Sequence, residues 1–369
     1  AIRPRSAIPS RAWTLREDIM TNNDITIPVG QLRVFTARNF EALGMAPEHA
    51  ELMAEQIAWA HIRGYPWLGA RKIIQYGTRI MKGVAATHGN LNLVTETDSL
   101  AAFDADNAFS QVIGKRAMLA AIGKARNTGV GAVVVRNSSN ASALGYYAEL
   151  AARERVIGLA INNAPPLMAP WGSRSKILGN QAFAIGSPAG RHDPIVLDTA
   201  LSELTLVGIH AYQLRGEPLP EGVALDADGR PTTDPAAALA GILVPAGRHR
   251  GSGMAILWEI LTGVLAGGDR FMSDVTMPDV FDSPQGTSLF FLAIEPRTVM
   301  PHEQFVARVD DLIERIHASR PADGFERVRV PGEASAERAR RAEAEGATLS
   351  ADLYADLARF GAQIGVRWE

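Results

Sequence analysis

Apolar residues recur at helical spacing across residues 29–60: Leu32, Phe35, Phe40 and Leu43, then Ala50, Leu52, Met53 and Ile57. Gly44 and Pro47 break the run, so the pattern predicts two helices joined by a Gly-Met-Ala-Pro-Glu turn. Residues 112–126 read as an Ala-rich helix closed by Asn127, Thr128 and Gly129. The period then changes. Three consecutive valines, Val133 to Val135, predict a strand within 131–137 that is buried on both faces. A polar turn, Asn137-Ser138-Ser139-Asn140, leads into another helical pattern over 141–154. Residues 156–162 and 194–198 read as two more buried strands. Strands alternating with helices predict an α/β layered core.

Further along, residues 217–250 are rich in Gly, Pro and Asp, and either Thr233 or Asp234 is placed to cap a short helix that has Pro235 at its first position. Residues 253–268 are apolar nearly all round, which predicts a buried helix. Residues 302–318 form an amphipathic pattern with Phe305, Val309, Leu312, Ile313 and Ile316 on one stripe, and 334–365 a charged helical pair. No internal repeat stands out. The first 19 residues carry four Arg and two Pro without an apolar h-region, so they read as a disordered extension rather than a secretory signal.

Composition narrows the class. Apolar residues make up 47% and charged residues 21% of the 369-residue chain, which is globular, and the net charge of −3 offers no general attraction to nucleic acid or acidic membrane. A small-molecule ligand is the better expectation. The chain has no cysteine, which excludes disulfides and thiolate metal sites and fits the cytoplasm. No apolar run approaches the roughly 20 residues that span a bilayer. The histidines lack ligand spacing, so no metal site is expected. There is no Gly-x-Gly-x-x-Gly after a strand, no P-loop, no His-Glu-x-x-His and no Gly-x-Ser-x-Gly. Pattern alone therefore describes an α/β enzyme without a named chemistry.

Several residues could carry chemistry. The turn through Asn140 opens a helix whose free N–H groups suit a phosphate, or are simply capped by Ser or Asn. Asp198 ends a strand, where ligands gather outside open sheets, or caps the following segment. His249 and Arg250 belong to a basic cluster that meets either phosphate or solvent.

Six stretches occur together and in order: "NSSNASALGYYAELA", "NNAPPLMAPWGS", "PIVLDTALS", "LPEGVALDADGRPTTDP", "GILVPAGRHRGSGMAILWEILTGVLAGG" and "RVPGEASAERARRAEAEG". With them the chain resembles the NAD(P)H-dependent malate/L-lactate dehydrogenase-like oxidoreductases over roughly residues 27–366. That family is unrelated to the Rossmann lactate dehydrogenases and includes ureidoglycolate and sulfolactate dehydrogenases, diketogulonate reductase and piperideine-2-carboxylate reductase. The resemblance implies an α/β fold: a mixed-sheet, non-Rossmann NAD(P)-binding domain plus a helical domain formed by both chain ends, assembled as a homodimer. On that plan residues 1–19 are the extension, 20–100 the first part of the helical, dimerising domain, 101–300 the NAD(P)-binding and substrate domain, and 301–369 the second helical part. It implies cofactor contacts from Asn140, Ala141, Ser142, Ala143 and Leu144, from Asp198, Thr199 and Ala200, and from His249 and Arg250, where the family usually has Lys. The cofactor is NADPH or NADH, with Arg248 and Arg250 pointing to the former. Where the family shows Gly-Thr-Asn-Pro, this chain has Gly179, Asn180, Gln181 and Ala182, which places the Asn180 amide toward substrate.

The departures fall on the chemistry. In the family the turn after Arg63 and Gly64 carries Ser-His-Gly, and the His protonates the substrate as hydride arrives. Here the matching residues are Trp67, Leu68 and Gly69, and the family's second His is matched by Asn140. A positioned general acid is worth about 10²–10⁴ in rate. Its loss leaves three accounts: another donor (Lys72, Tyr65, Tyr146, His210 or water), a substrate that needs no strong acid, or chemistry other than hydride transfer. The catalytic set is therefore Lys72, Asp198 and Tyr146, and the substrate set Trp67, Leu68, Arg71, Lys72 and Asn180, with Lys72 where the family holds a carboxylate with Arg. An indole here favours flat or cationic ligands. The expected activity is reduction of a C=N or C=O bond adjacent to a carboxylate, in a cyclic imine or larger biosynthetic intermediate rather than malate or lactate. The alternatives are a non-redox isomerase, cyclase or C–C-bond enzyme, or a silent homologue.

Overall fold

The computed structural model describes residues 24–368; the extension expected over residues 1–19 lies outside them. The chain begins with strand β1 (Ile25–Ile27) and helices α1 (Val29–Ala42), α2 (Pro47–Ile62) and α3 (Lys72–Met81). The first two helices fall where the apolar spacing places them, with Pro47 at the first position of α2, where its missing N–H costs nothing. Leu32, Phe35 and Phe40 face Met53 and Ile57 in one core. That core is completed from the far end of the chain by β13 (Ala347–Leu349) and α11 (Ala351–Gln363), which add Leu353, Leu357 and Phe360. Strands β1 and β13 pair antiparallel, Ile25 against Leu349, so the two chain ends build one helical lobe.

Between these ends run β2 (Asn92–Glu96), β3 (Leu100–Asp104), α4 (Ser110–Thr128), β4 (Val130–Ser138), α5 (Gly145–Arg153), β5 (Ile157–Asn162), β6 (Pro166–Met168), β7 (Leu178–Gly179), β8 (Phe183–Ser187) and β9 (Ile195–Thr199). They are followed by α6 (Leu206–Arg215), β10 (Ala224–Leu225), α7 (Pro235–Ala240), β11 (Ile242–Leu243), α8 (His249–Glu259), β12 (Thr287–Ile294), α9 (His302–His317) and α10 (Glu333–Glu345). Asp234, not Thr233, caps α7, accepting from the Ala236 N–H at 3.0 Å.

The main sheet has seven strands in the order β2-β3-β4-β12-β5-β8-β9. Only β3 and β4 run parallel; the other neighbours are antiparallel. This is the mixed, non-Rossmann sheet that the resemblance implied. Val133 and Val135 enter the core under α4 and α5, while Val134 enters the core beneath α6 and α8, so β4 is buried on both faces as its valine run predicts. Helix α4 lies directly on β4: a Cβ at Gly131 would stand 2.0 Å from the Ala121 carbonyl oxygen. A smaller sheet, β10-β11-β6-β7, flanks the main one.

Three expectations need correction. Residues 194–198 do form a strand, but β9 is the edge of the sheet and mostly half-exposed. The apolar run 253–268 is not buried all round. It forms α8 and a π-helical turn over Ile260–Val264, with Ile256, Leu257, Val264 and Leu265 exposed on the single chain and Glu259 turned inward instead. The stripe on α9 buries only Ile313 fully, because the helix is held through Asp310, which accepts from the Gly190 and Arg191 N–H groups at 3.0 and 2.9 Å. No helix among the described residues is long and apolar enough to cross a membrane.

Candidate active site

The turn over residues 65–71 is held from beneath by His61. Burial keeps this imidazole below its ordinary pKa, and it is neutral. Its Nδ1 accepts from the Ala70 N–H at 3.4 Å, so Nε2 carries the proton and donates to the Thr348 carbonyl at 2.9 Å on β13. Gly69 lies so close to this ring that a Cβ would meet the His61 Cβ at 2.6 Å. His61 thus fixes the height at which Trp67 and Leu68 stand.

From this turn a closed circuit of contacts surrounds the C-terminal end of β9. The Leu68 carbonyl accepts from Ser142 Oγ at 3.2 Å. Three residues on, the Gly145 N–H donates to Asp198 Oδ2 at 2.9 Å. The chain runs from Asp198 through Thr199 and Ala200 into α6, where the His210 ring stacks on Trp67 with centroids 5.6 Å apart. Leu201, just past β9, donates its N–H to the Asn180 carbonyl at 2.8 Å and accepts from the Ala246 N–H at 2.9 Å. The turn carrying His249 and Arg250 is thereby drawn to the same strand end. The loop 140–144, residues 198–200, Asn180, the start of α8 and the 67–72 segment therefore converge.

Within that convergence the residues differ in what they offer. Ala141, Ala143 and Leu144 are buried, so their side chains serve packing and only their backbone can meet a ligand. Asp198 fills the N-terminal position of α5 with the protein's own carboxylate. A phosphate expected at that helix end would meet a like charge there, so the capping reading of Asp198 is the one the geometry favours. Trp67 is already engaged by His210 and by the Arg71 guanidinium, 4.5 Å from the indole centroid, which leaves less of the ring for a ligand than expected. Tyr146 turns the other way, edge-on to Trp59 at 5.9 Å and beside Glu55, and burial raises its pKa further from a donor's range. His249 and Arg250 are exposed at the start of α8.

Lys72 is the exception. It is 8% exposed at the first position of α3, donates to Gln75 Oε1 at 2.6 Å and lies 5.6 Å from the Tyr76 ring centroid. Burial lowers its pKa to about 8, opposed by Asp279 and reinforced by Arg71 and Arg79. Arg79 donates to the Val280 carbonyl at 2.7 Å and so holds the segment bearing Asp279 over α3.

Sequence reasoning missed two groups. Tyr76 stands one helical turn from Lys72 and touches Asn140; the i, i+4 spacing on α3 was the available signal. The second is an open cleft lined by Tyr65, Val196, Asp198, Arg329, Gly332 and Arg338, among others. Gly332 is required there: its φ is +92° and a Cβ would stand 2.9 Å from the Val196 oxygen. The stretch "RVPGE" carried this signal, but only the geometry brings it against β9, through the bond from the Val196 N–H to the Pro331 carbonyl at 3.1 Å.

The chain is similar to known proteins over most of its length. The chain is 34% identical over 326 residues to L-sulfolactate dehydrogenase of Methanocaldococcus jannaschii, covering 88% of this chain and 93% of that one. It is 32% identical over 323 residues to malate dehydrogenase of Pyrococcus horikoshii, covering 84% and 88%. The solved sulfolactate dehydrogenase from M. jannaschii superposes with a TM-score of 0.88 at 31% identity, covering 93% of this chain and 98% of that one. The Δ1-piperideine-2-carboxylate reductase from Pseudomonas syringae gives 0.82 at 28%, covering 91% and 99%. With residues 27–358 matching the family described as malate/L-lactate dehydrogenase, the chain belongs to that family and is an NAD(P)-dependent oxidoreductase.

Proposed function

We propose that the chain is an NAD(P)H-dependent reductase of a C=N or C=O bond next to a carboxylate, with Lys72 as proton donor where the family's imidazole is replaced by Leu68. One observation carries this reading. Lys72 is the buried cation beside the Leu68 turn, and its desolvation brings the ammonium near the pH at which a general acid is useful. Arg71, one residue earlier, supplies the fixed charge for a substrate carboxylate.

The cleft beside β9 suits the cofactor. The Arg329 and Arg338 guanidinium groups match phosphate, Tyr65 offers an aromatic ring, and Gly332 lets the backbone approach closely. Arg248 and Arg250 at the start of α8 favour the extra phosphate of NADPH. When bound, the nicotinamide supplies hydride to the carbon of the C=N or C=O bond. Lys72 Nζ gives its proton to the nitrogen or oxygen of that bond, becomes a neutral amine and takes a proton from water. The hydrocarbon of Leu68 beside it favours a cyclic imine or a larger intermediate over malate or lactate, and the likeness to a piperideine-2-carboxylate reductase supports a C=N substrate.

A second copy of the chain covers the exposed apolar side chains of α8 and its π-helical extension, giving a homodimer; a patch of this kind on a soluble chain marks an interface. The absence of cysteine supports a cytoplasmic setting. Purified protein should bind NADPH or NADH, read as a raised melting temperature, and should consume nicotinamide absorbance with a cyclic imine carboxylate. No response to either nucleotide overturns the proposal.

A further inference from the structure

We infer that Asp279 is a positioning residue for Lys72, the carboxylate that keeps its ammonium charged for proton transfer, and that Arg79 puts it there; this rests on the reductase reading above. Arg79 has no part in the reaction, yet its side chain is 0% exposed and forms no ion pair among the described residues. A guanidinium taken out of water without a carboxylate must be solvated by the protein itself.

One loop does most of this. The Thr276 N–H donates to the Gln285 carbonyl at 3.2 Å and the Thr276 hydroxyl to the Pro284 carbonyl at 2.7 Å, so residues 276–285 close on themselves. Arg79 Nη1 donates to the carbonyls of Pro278 and Val280 at 3.3 and 2.7 Å. Nη2 donates to those of Ser283 and of Val84, just past α3, both at 3.3 Å. Three carbonyls of the loop thus converge on one cation. A planar fork can tie them together where a single ammonium could not.

The place of Asp279 follows. It lies between Pro278 and Val280, the two residues whose carbonyls Nη1 holds. Lys72 and Arg79 are seven residues apart on α3, which is two helical turns and one face. A loop fastened over Arg79 therefore runs along the face that carries Lys72. The charged groups facing Lys72 are Asp279 from the loop, Arg71 just before the helix and Arg79 within it. Gln75 and the Tyr76 ring supply the uncharged contacts. Burial and both guanidinium groups favour the neutral amine; of the facing charges, only Asp279 favours the acid form that the reduction needs. Asp279 is exposed and pairs directly with no described cation, so it acts through its field and leaves the Lys72 proton free for the substrate.

The test follows Lys72 by the pH dependence of urea unfolding, each protein being compared with its own Lys72→Met partner so that other titrations cancel. Wild-type stability rises from pH about 8, where the folded lysine gives up a proton that the unfolded one still holds. Asp279→Asn should bring the start of that rise roughly 0.5–1 pH unit lower, a modest shift because the carboxylate is solvated. Asp279→Glu should restore most of it. Asp282→Asn makes the same charge change on the same loop and should leave the midpoint in place. Arg79→Lys keeps the charge but loses the fork. It should lower the midpoint by a similar amount, with no further shift when added to Asp279→Asn. If Arg79→Lys does not fold, Thr276→Val opens the loop at its neck and takes its place. An Asp279→Asn midpoint at the wild-type value, or one matched by Asp282→Asn, overturns the role of Asp279; an unmoved midpoint in the loop-loosening variant overturns that of Arg79. The high-pH limb of kcat/KM should follow the same midpoints. Shifts in unfolding from a protein that binds neither nicotinamide nucleotide would instead strike the reductase reading and leave the placement of Asp279 standing.

Discussion

Replacing Lys72 with methionine separates what the ammonium does for chemistry from what its burial does to the fold. The side chain is 8% exposed and its pKa lies at about 8, against 10.5 in an unfolded chain. That gap of about 2.5 units corresponds to roughly 3 kcal/mol of destabilisation at pH 7, where both states are charged. Removing the partner of Gln75 returns about 1 kcal/mol of that. Lys72→Met should therefore be more stable than wild type by about 2 kcal/mol at pH 7, measured by urea unfolding. Between pH 8 and 10.5 the unfolded chain holds the proton more tightly than the native one. Wild-type stability should rise with pH across that window, and the variant should lack the rise. Asp279, Arg71 and Arg79 face the ammonium and set its midpoint, so they must stay in place for the comparison. Reduction by wild type should fall above pH about 8 as the acid loses its proton, and the variant should lose about 10²–10⁴ in kcat/KM with that limb gone. A variant that is less stable at pH 7 and turns over at the wild-type rate would refute both the burial penalty and the catalytic role.

Two further outcomes test the frame around the site. Leu257→Arg places a charge on the exposed apolar face of α8, and sedimentation should show a dimer converted to monomer; an unchanged species would remove the proposed interface. Gly131→Ala drives a methyl group into the Ala121 carbonyl of α4 and should cost about 3 kcal/mol in urea unfolding, whereas a neutral result would mean that α4 can lift from β4.

Much of the frame is legible in the sequence because its signals are local. The break at Gly44 and Pro47, the valine run and the polar turn at 137–140 each lie within a few residues, and α1, α2, α4 and β4 follow from them. What failed was long-range. Strand β12, at the centre of the sheet, carries Phe290 and Phe291 in an unbroken apolar run; Pro284, Gly286 and Pro296 bound it, but its place between β4 and β5 is set by pairing with segments more than 120 residues away. β9 looked buried because Ile195, Val196 and Leu197 are apolar, yet an edge is defined by a missing neighbour, which composition does not record. At the site, the resemblance alone implied that Leu68 stands in the place of a histidine. The sandwiching of Trp67, the capping by Asp198 and the bond from Tyr76 to Asn140 each depend on a partner 50 or more residues away.

The pairing of Ile27 with Ala347 gives synthesis an order. The seven-stranded sheet can close while the ribosome is still translating, since its strands lie between residues 92 and 294. The lobe that carries Lys72 and Tyr76 cannot, because β13 and α11 emerge last. His61 leans on Thr348, so the turn that presents Leu68 waits for the same arrival. The cleft beside β9 waits as well, since Arg329, Gly332 and Arg338 come from beyond the last strand of the sheet and Tyr65 from the helical lobe.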